Sequence, residues 1–302
     1  MAFHCICMSP AIDATVTLPA APRGAGEIFK DVAEVENVGG KAVNVARWLA
    51  LRGAKVSCGG LLGEDNAAPF EKELARYGIE DRFQRVPGPT RRNEMFVWPG
   101  GSFKVNRTAF GGMPAVTRVP VAVGSGDVVV VSGSLPKCCA ASFYADMIAE
   151  LRQKGAFVVF DASGAALANG VAAKPDVIKP NAEECEALVG FVPKTPDGFR
   201  KATDLLRASV RYPIISDGAG GCWFDGEFVP APAVEVVDTT AAGDTLLAEW
   251  VYRSFSGADG FVADREAARW AVAAGSAACL MPGGEPPSVE QVGRLYEQTK
   301  VN

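Results

Sequence analysis

The 302-residue sequence predicts an α/β fold in which helices cover a mostly parallel β-sheet. Short runs of β-branched residues alternate with longer amphipathic stretches, the order expected when each strand is followed by a crossover helix. The apolar fraction of 48% is enough to bury the core of one large domain, which we assign to residues 1–302.

The elements follow one another along the chain. The predicted strands are short and apolar, and they are Phe3–Cys7, Lys55–Gly59, Val128–Ser132, Phe157–Asp161, Val177–Ile178 and Ile214–Ser216. The predicted helices show apolar residues at helical spacing, and they are Asn44–Leu51, Ala67–Tyr77, Ala141–Lys154, Ala182–Leu188, Gly198–Ser209, Thr245–Phe255 and Arg265–Leu280.

Two segments break this alternation. Residues from about 14 to 38 and from about 82 to 109 alternate apolar and polar positions between Gly and Pro residues, without a helical pattern. Such alternation is typical of strands. We therefore predict that the two segments form a small β-sheet lid over the mouth of the large sheet, where open parallel sheets bind ligands.

Charge and composition exclude several classes of function. The net charge of −5 argues against a nucleic-acid partner, which requires a basic surface. His4 is the single histidine, so a histidine-centred catalytic group or multi-histidine metal site is excluded. The N-terminal sequence does not resemble an export signal, and no apolar run is long enough for a membrane span. We expect a cytoplasmic protein that does not bind membranes.

A loop of small residues, Asp238–Asp244, runs directly into the predicted helix Thr245–Phe255. The first N–H groups of a helix have no partner within it, so the start of a helix attracts anions and favours the charged form of a carboxylate. An ionised Asp244 at this position is suited to deprotonate an alcohol during phosphoryl transfer. The structural alternative is that Asp244 only caps the helix.

A second turn rich in glycine, Val38–Asn44, also precedes a helical stretch. It is not a P-loop, because no Ser or Thr follows Lys41 and the upstream glycine is missing at the required spacing. Residues of these types can hold a polyol and its phosphate, and they are Gly39, Gly40, Lys41 and Asn44. A plain chain reversal is the alternative.

Basic residues occur in the predicted lid. Arg91 stands next to Asn93 in the sequence Thr90–Asn93, and Lys104 lies further along the second lid segment. Guanidinium and ammonium groups bind phosphate well, so Arg91 and Lys104 are candidates to converge on a dianion. The alternative is that both are solvated charges on an exposed sheet.

Polar residues also follow the strand Val177–Ile178. Asn181 and Glu184 are three positions apart at the start of a predicted helix, so both can face one hydrated Mg²⁺. The alternative is a capping box, in which the two side chains bond to each other's backbone.

These segments, in this order, resemble the ribokinase/PfkB carbohydrate kinase family along nearly the whole chain. The matching segments are Ser9–Asp13, Gly39–Arg47, Ser132–Pro136, Asp161–Gly164, Lys179–Glu184, Thr239–Asp244 and Ala273–Ser276. The resemblance implies a ribokinase-like three-layer α/β/α sandwich with a β lid, and an enzyme that transfers the γ-phosphoryl group of Mg-ATP to a sugar hydroxyl.

The resemblance also implies residue roles. Asp244 is the expected base, and the backbone of Ala241, Ala242 and Gly243 is the expected anion hole, although Ala241 stands where many members have Gly. Asn181 and Glu184 are expected to organise Mg²⁺ through water. The residues expected to bind the nucleotide are Lys179, Asn181, Glu184, Ser216, Gly218, Gly221, Val272 and Ser276.

The resemblance also implies a sugar site under the lid. Its residues are Asp13, Gly39, Gly40, Lys41, Asn44, Arg91, Asn93, Lys104 and Ser134. Members of the family commonly bind a monovalent cation such as K⁺, expected here near Asp238 and Thr240, and often form homodimers through the lid.

Within the family, Lys41, Arg91 and Lys104 resemble the branch that phosphorylates fructose 1-phosphate, fructose 6-phosphate or tagatose 6-phosphate. The predicted function is therefore a sugar-phosphate kinase. Two alternatives stay open: a kinase of an unphosphorylated sugar or nucleoside, and a non-catalytic sugar-phosphate sensor.

Overall fold

The structure is a computed structural model, and it describes residues 1–110, 113–257 and 260–300. The predicted single domain, residues 1–302, extends beyond these ranges. The strands are β1 (Phe3–Cys7), β2 (Ala11–Thr17), β3 (Ala33–Gly39), β4 (Val56–Gly63), β5 (Glu80–Val86), β6 (Arg92–Trp98), β7 (Gly101–Val105), β8 (Val128–Ser132), β9 (Phe157–Asp161), β10 (Val177–Ile178), β11 (Tyr212–Ser216), β12 (Gly221–Phe224) and β13 (Glu227–Pro230).

Helices connect these strands. They are α1 (Lys41–Leu51), α2 (Ala68–Arg76), α3 (Phe143–Gln153), α4 (Gly164–Val171), α5 (Cys185–Val189), α6 (Pro196–Leu206), α7 (Ala242–Phe255), α8 (Arg265–Ala278) and α9 (Val289–Thr299). Among the described residues, no helix is both long and apolar enough to cross a membrane.

The large sheet has nine strands in the order β13-β12-β11-β10-β9-β8-β1-β4-β5. The strands from β11 to β5 pair in parallel, and β12 and β13 add an antiparallel hairpin at one edge. Because parallel strands place all their carboxyl ends at one edge, the loops that leave these ends surround a common mouth. The predicted α/β class and mostly parallel sheet are confirmed.

Helices cover both faces of this sheet, and the central strand β8 shows why. Its sequence Val128–Ser132 is buried throughout, as expected for a strand with no solvent-exposed face. Val128 and Val130 belong to the core shared with α1, α7 and α8, whereas Val129 and Val131 belong to the core shared with α3, α4 and α6. Alternate side chains of one strand thus fill two separate cores.

The small sheet has four strands in the order β3-β2-β6-β7. The two distant segments of the chain meet where β2 pairs in parallel with β6, as the alternating pattern suggested. The predicted lid boundary was wrong at residues 82–86. These residues belong to β5, which pairs in parallel with β4 at the edge of the large sheet, because its buried side chains Phe83 and Val86 pack on the domain core.

Candidate active site

Asp244 lies in the first turn of α7 at the mouth of the large sheet, and only 6% of it is exposed. The helix begins after Ala241, whose φ of 63° is in the left-handed region. An L-residue with a side chain is strained in this conformation, and glycine is not. The backbone therefore turns sharply at Ala241, and the N–H of Ala242 donates to the carbonyl of Thr239 at 3.3 Å.

The carboxylate of Asp244 contacts α1. The side-chain amide of Asn44 donates a hydrogen bond of 2.7 Å to Oδ2 of Asp244. Burial raises the pKa of Asp244 above its ordinary value, while the positive charge of Lys41 and the Asn44 amide lower it. The helix terminus, which the sequence reveals, favours the charged form of Asp244, whereas its burial, which raises the pKa, is visible only in the structure. A raised pKa makes the carboxylate a stronger base.

Two lysines share one buried carboxylate beside Asp244. Nζ of Lys41 lies 3.1 Å from Oδ1 of Asp161, and Nζ of Lys179 lies 3.6 Å from Oδ2 of the same residue. Burial alone lowers the pKa of Lys41, but the carboxylates of Asp161 and Asp244 outweigh burial, so the pKa is raised and the group is a cation at neutral pH. A Cβ placed on Gly243 would lie 3.2 Å from Nζ of Lys179, so this ammonium adjoins the start of α7.

A cavity of about 700 Å³ opens on one side of Asp244. This volume suits a nucleotide-sized ligand. Its walls come from α7, α8 and the loops after β10 and β11, and among the predicted nucleotide residues they include Asn181, Ser216, Gly218, Gly221, Val272 and Ser276. Ala242 and Gly243 also line it, so the start of α7 forms one wall.

Asn181 and Glu184 bond to each other's backbone. The N–H of Asn181 donates to Oε2 of Glu184 at 3.0 Å, and the N–H of Glu184 donates to Oδ1 of Asn181 at 2.7 Å. This is the reciprocal geometry of the capping alternative. Each side chain retains lone pairs, so the arrangement fixes two oxygens near the cavity without excluding a hydrated cation.

A narrow cleft on the other side of the mouth joins the lid to the loop before α7. Asp13, Asn93 and Lys104 line it together with Asp238 and Thr240. Asn93 donates a 2.8 Å hydrogen bond to Oδ1 of Asp13, which fixes the carboxylate toward the cleft.

Gly39 and Gly40 allow close approach of the chain at this cleft. A Cβ on Gly39 would lie 2.1 Å from Oδ2 of Asp13, and one on Gly40 would lie 2.9 Å from Sγ of Cys7. Side chains at these positions would displace the Asp13 carboxylate or the end of β1. The glycine pair is therefore required by packing at the start of α1, beyond a plain chain reversal.

The structure gives Arg91 partners that the sequence did not predict. Its guanidinium donates to the backbone carbonyls of Ser9 at 3.2 Å, Pro10 at 3.3 Å and Arg107 at 3.1 Å. It thus ties together three parts of the chain around the cleft, whereas Lys104 lines the cleft itself. Ser134 is exposed on the loop after β8, and its carbonyl accepts a hydrogen bond from the hydroxyl of Tyr144.

Asp238 and Thr240 form a compact turn. Oδ1 of Asp238 accepts hydrogen bonds from the N–H and hydroxyl of Thr240 at 2.9 and 2.8 Å, and Oδ2 accepts from the N–H of Gly283 at 3.0 Å. The carboxylate is therefore satisfied by protein donors. The monovalent cation expected beside these residues stays a prediction.

Sequence reasoning missed several residues of the site. No role was predicted for Asp161, although its position at the end of β9 is a signal for the mouth of a parallel sheet. The segment 231–236 and Cys279 also line the large cavity. Their apolar character gave no signal, because apolar residues at a cavity wall and in a core look the same in sequence.

The structure has the fold of known sugar kinases. It superposes on phosphofructokinase-2 from Escherichia coli solved in complex with substrates and products, with a TM-score of 0.88 and 24% identity, over 99% of this chain and 100% of that one. The same enzyme in complex with potassium matches with a TM-score of 0.83 and 24% identity, over 99% of each chain. The predicted ribokinase-like fold is confirmed.

The sequence matches define the family. The model of the pfkB family of carbohydrate kinases matches residues 9–291. A 1-phosphofructokinase of Haemophilus influenzae is 36% identical over 258 residues, which cover 79% of this chain and 82% of that one. The chain belongs to the pfkB family of carbohydrate kinases, as its signature segments indicated.

Proposed function

We propose that this protein is an ATP-dependent kinase of a fructose phosphate, with Asp244 as the general base. The observation that carries the proposal is one buried carboxylate in a turn that borders two binding spaces, since Thr240 lines the lid cleft and Gly243 lines the large cavity. The start of α7 lines the nucleotide-sized cavity, while the Asn44 contact joins Asp244 to the helix that begins at the sugar-side glycines. A kinase requires a base at the junction of its two substrates.

In the proposed reaction, a hydroxyl oxygen of the sugar attacks the γ-phosphorus of ATP. The hydroxyl proton passes to the carboxylate of Asp244 while the new O–P bond forms, and the bond to the β-phosphate oxygen breaks to release ADP. The first N–H groups of α7 and the ammonium of Lys179 stabilise negative charge on the transferring group. Lys41 stays positively charged beside the carboxylates of Asp161 and Asp244.

Magnesium fits this site as a companion of the nucleotide. Among the described residues, no group of three or more His, Cys, Asp or Glu side chains is arranged to hold a metal ion. Mg²⁺ is commonly held by few protein oxygens together with phosphates and water, so Asn181 and Glu184 are the proposed contacts. When bound, the ion would neutralise charge on the phosphates.

A monovalent cation is proposed beside Asp238 and Thr240. The related Escherichia coli enzyme was solved with potassium, and Asp238 and Thr240 adjoin the start of α7. Kinase activity measured in K⁺ and in tetramethylammonium buffers tests it, and equal rates in the two buffers contradict it.

The sugar phosphate is proposed to bind under the lid. The 1-phosphofructokinase name of the Haemophilus influenzae relative favours fructose 1-phosphate, and the ammonium of Lys104 in the cleft supplies a positive charge for the phosphate. Fructose 1-phosphate, fructose 6-phosphate, tagatose 6-phosphate, fructose and a nucleoside should be compared by ADP release. A preference for the unphosphorylated compounds contradicts the assignment.

The Lys104→Met variant tests the phosphate contact. We expect KM for the sugar phosphate to rise roughly 10- to 100-fold, as for loss of a hydrogen bond to a charged group. Lys72→Met is the matched control, since Lys72 is exposed on α2 and outside the cleft. An unchanged KM in Lys104→Met excludes this contact.

The Asp244→Asn variant tests the base. We expect kcat to fall by about 10²–10⁴-fold, because amide oxygen is too weak a base to accept the proton. ATP binding, measured by calorimetry, should persist because the cavity walls are intact. Near-normal turnover would refute the proposed mechanism, and binding without turnover in the parent protein would support a sensor instead.

A homodimer through the lid is part of the proposal. Phe103 and Val105 flank Lys104 on β7, so they face away from the cleft, and they are 46% and 40% exposed. Phe103 stacks on Phe96 with ring centroids 4.8 Å apart, which extends the apolar surface. Exposed apolar surface of this kind marks protein interfaces.

Light scattering on the purified protein tests the dimer. Val105→Glu should yield monomers, whereas Val289→Glu, at an equally exposed (40%) valine on α9, should not. A dimer that persists in Val105→Glu places the interface elsewhere.

A further inference from the structure

Arg47 is a buried cation that the proposed reaction does not use. It lies on α1, one helical turn after Asn44, and only 2% of it is exposed. It lines neither the large cavity nor the lid cleft. Burying a charge is costly unless it is paired and hydrogen-bonded, so its partners indicate what it holds in place.

One nitrogen of Arg47 bonds to two parts of the site. Nη2 donates to Oδ1 of Asn44 at 2.6 Å and to the carbonyl of Gly284 at 3.0 Å. Nη1 lies 3.1 Å from Oε1 of Glu73 on α2, which compensates the charge.

The contact with Asn44 determines the orientation of its amide. A guanidinium has only N–H donors, so the oxygen of the amide must face Arg47. The NH₂ group then points the other way, toward Oδ2 of Asp244 at 2.7 Å. The carboxylate of Asp244 accepts hydrogen bonds only, so it favours the same orientation. Without Arg47, the oxygen of the Asn44 amide loses its donor, and the contact with Asp244 alone holds the side chain in place.

The contact with Gly284 reaches the other side of Asp244. A Cβ on Gly284 would lie 3.0 Å from Cγ2 of Thr240 and 3.7 Å from Cβ of Ala241. The carbonyl that Arg47 holds therefore belongs to a segment packed against the turn that starts α7. The same guanidinium nitrogen thus connects the hydrogen-bond donor of Asp244 to the turn that carries Asp244.

We propose that Arg47 is a positioning residue for the phosphoryl transfer: it fixes the Asn44 amide so that its N–H faces the carboxylate of Asp244. This inference rests on the proposed function, in which Asp244 is the base. It extends that function to a residue outside both binding spaces.

The proposal has a signature in the pH dependence of kcat. The charged groups around Asp244 are Lys41 on α1, Asp161 at the end of β9 and Lys179 after β10, and the Asn44 amide adds a hydrogen bond that lowers the pKa of Asp244. If the amide moves out of this position when Arg47 is removed, that contribution is lost and the pKa of Asp244 rises further. The acid limb of the kcat profile must then move to higher pH, while the lysines and Asp161 are unchanged.

The test is the Arg47→Met variant, compared with Arg52→Met. Arg52 follows the end of α1, pairs with the buried Glu249 and does not contact Asn44, so the control removes a similar buried ion pair from the same helix. We expect Arg47→Met to lower kcat at least about tenfold at neutral pH, as for a small misplacement of a catalytic group. We also expect its acid limb to move to higher pH, while Arg52→Met loses stability and keeps the original profile.

A double-variant cycle identifies the route. If Arg47 acts through Asn44, then adding Arg47→Met to Asn44→Ala lowers kcat little further, because the contact is already gone. The proposal is overturned if the double variant loses kcat by the product of the two single losses. It is also overturned if the acid limb does not move in Arg47→Met. Should Arg47→Met fail to fold, the Arg47→Met/Glu73→Met double variant takes its place, because removing both charges leaves no unpaired buried carboxylate. A parental pH profile in that double variant overturns the proposal equally.

The two proposals fail in different ways. Full turnover in Asp244→Asn would show that Asp244 is not the base, so Arg47 would have no catalytic group to position. An inactive Asp244→Asn together with an unshifted profile in Arg47→Met leaves the kinase intact and removes only the role of Arg47.

Discussion

The two edges of the large sheet carry similar residue types in different surroundings. At the carboxyl ends, Asp161 and Asp244 lie beside two lysines and a cavity of about 700 Å³. At the amino ends, Nδ1 of His4 lies 2.7 Å from the hydroxyl of Ser57, and Nε2 lies 3.3 Å from Oδ2 of Asp127. The second group has the composition of a catalytic triad.

Access distinguishes the two groups. At the carboxyl edge, Ala242 and Gly243, directly before Asp244, line the large cavity, and the side chain of Lys41 is 38% exposed. At the amino edge, His4 and Ser57 are buried, and neither they nor Asp127 line the large cavity or the lid cleft. Asp127 also accepts hydrogen bonds of 2.8 Å from the backbone N–H groups of Ala2 and Gly124. The amino-edge group is thus a satisfied polar network that joins three strands. Residue types alone do not make a catalytic site, because a substrate also needs space beside them.

Among the variants that compare the two edges, the largest effect is expected from Asp161→Asn, at the carboxyl edge. The change leaves Lys41 and Lys179 without their shared counterion, so we expect kcat to fall about 100-fold and the free energy of unfolding to fall by about 3 kcal/mol. Kinase assays and urea unfolding measure the two effects. A stable, active variant would show that Asp161 is as dispensable for catalysis as we expect Asp127 to be at the amino edge.

A smaller effect is expected in the pH profile of Lys41→Met. The charge of Lys41 lowers the pKa of Asp244, so removing it raises that pKa, and the acid limb of kcat should move to higher pH. The exposed Lys72→Met serves as control and should leave the limb in place. Movement to lower pH would show that Asp244 does not set the acid limb.

At the amino edge, Asp127→Asn should affect stability alone. Burial raises the pKa of Asp127, but hydrogen bonds from Gly124, Ala2 and His4 outweigh burial and lower it. Because the pKa of Asp127 is lowered on folding, its carboxylate stabilises the fold at pH values above its unfolded pKa. This stabilisation is lost as pH falls through its folded pKa. We expect a loss of about 1–2 kcal/mol at neutral pH that shrinks below about pH 4, with kcat unchanged.

Loss of turnover in Asp127→Asn would remove the distinction between the edges. Urea unfolding at neutral and acidic pH, together with the kinase assay, measures both quantities on the same preparation.

The smallest effect is expected from Ala241→Gly. The left-handed φ of 63° costs an alanine roughly 1–2 kcal/mol, and glycine returns about 0.5–1 kcal/mol of this as entropy of the unfolded chain. The variant should therefore be more stable by less than about 1 kcal/mol. Thermal unfolding detects a change of this size, and clear destabilisation would show that the side chain of Ala241 makes favourable contacts that exceed the strain.

The sequence predicted the central elements well, for a local reason. Val128–Ser132 and Phe157–Asp161 are strands with the predicted bounds, since a fully buried strand is a continuous apolar run between turns. The edge strand β5 was assigned to the wrong sheet, because a half-exposed strand alternates in the same way in either sheet. Its pairing with β4 depends on contacts between residues distant in sequence.

For the same reason, only part of the candidate site could be predicted from the sequence. The loops that begin at Gly39 and Asp238 could be placed at one mouth from sequence, because glycine-rich turns before helices and the carboxyl ends of parallel strands are local signals. The pKa of Asp244 could not be predicted, since its burial depends on how α1 packs on α7.

By itself, the sequence determined the alternation of strands and helices and the chemical type of each residue at the mouth, because these follow from local pattern and composition, and its signature segments indicated the family. The local pattern did not reveal α4, α9 or the hairpin of β12 and β13. Only the tertiary structure decided that Asp161 joins Lys41 to Lys179 and that Arg47 orients Asn44. It also decided that His4, Ser57 and Asp127 line neither the large cavity nor the lid cleft. Those outcomes depend on distances and burial between residues far apart in the chain, which no local pattern encodes.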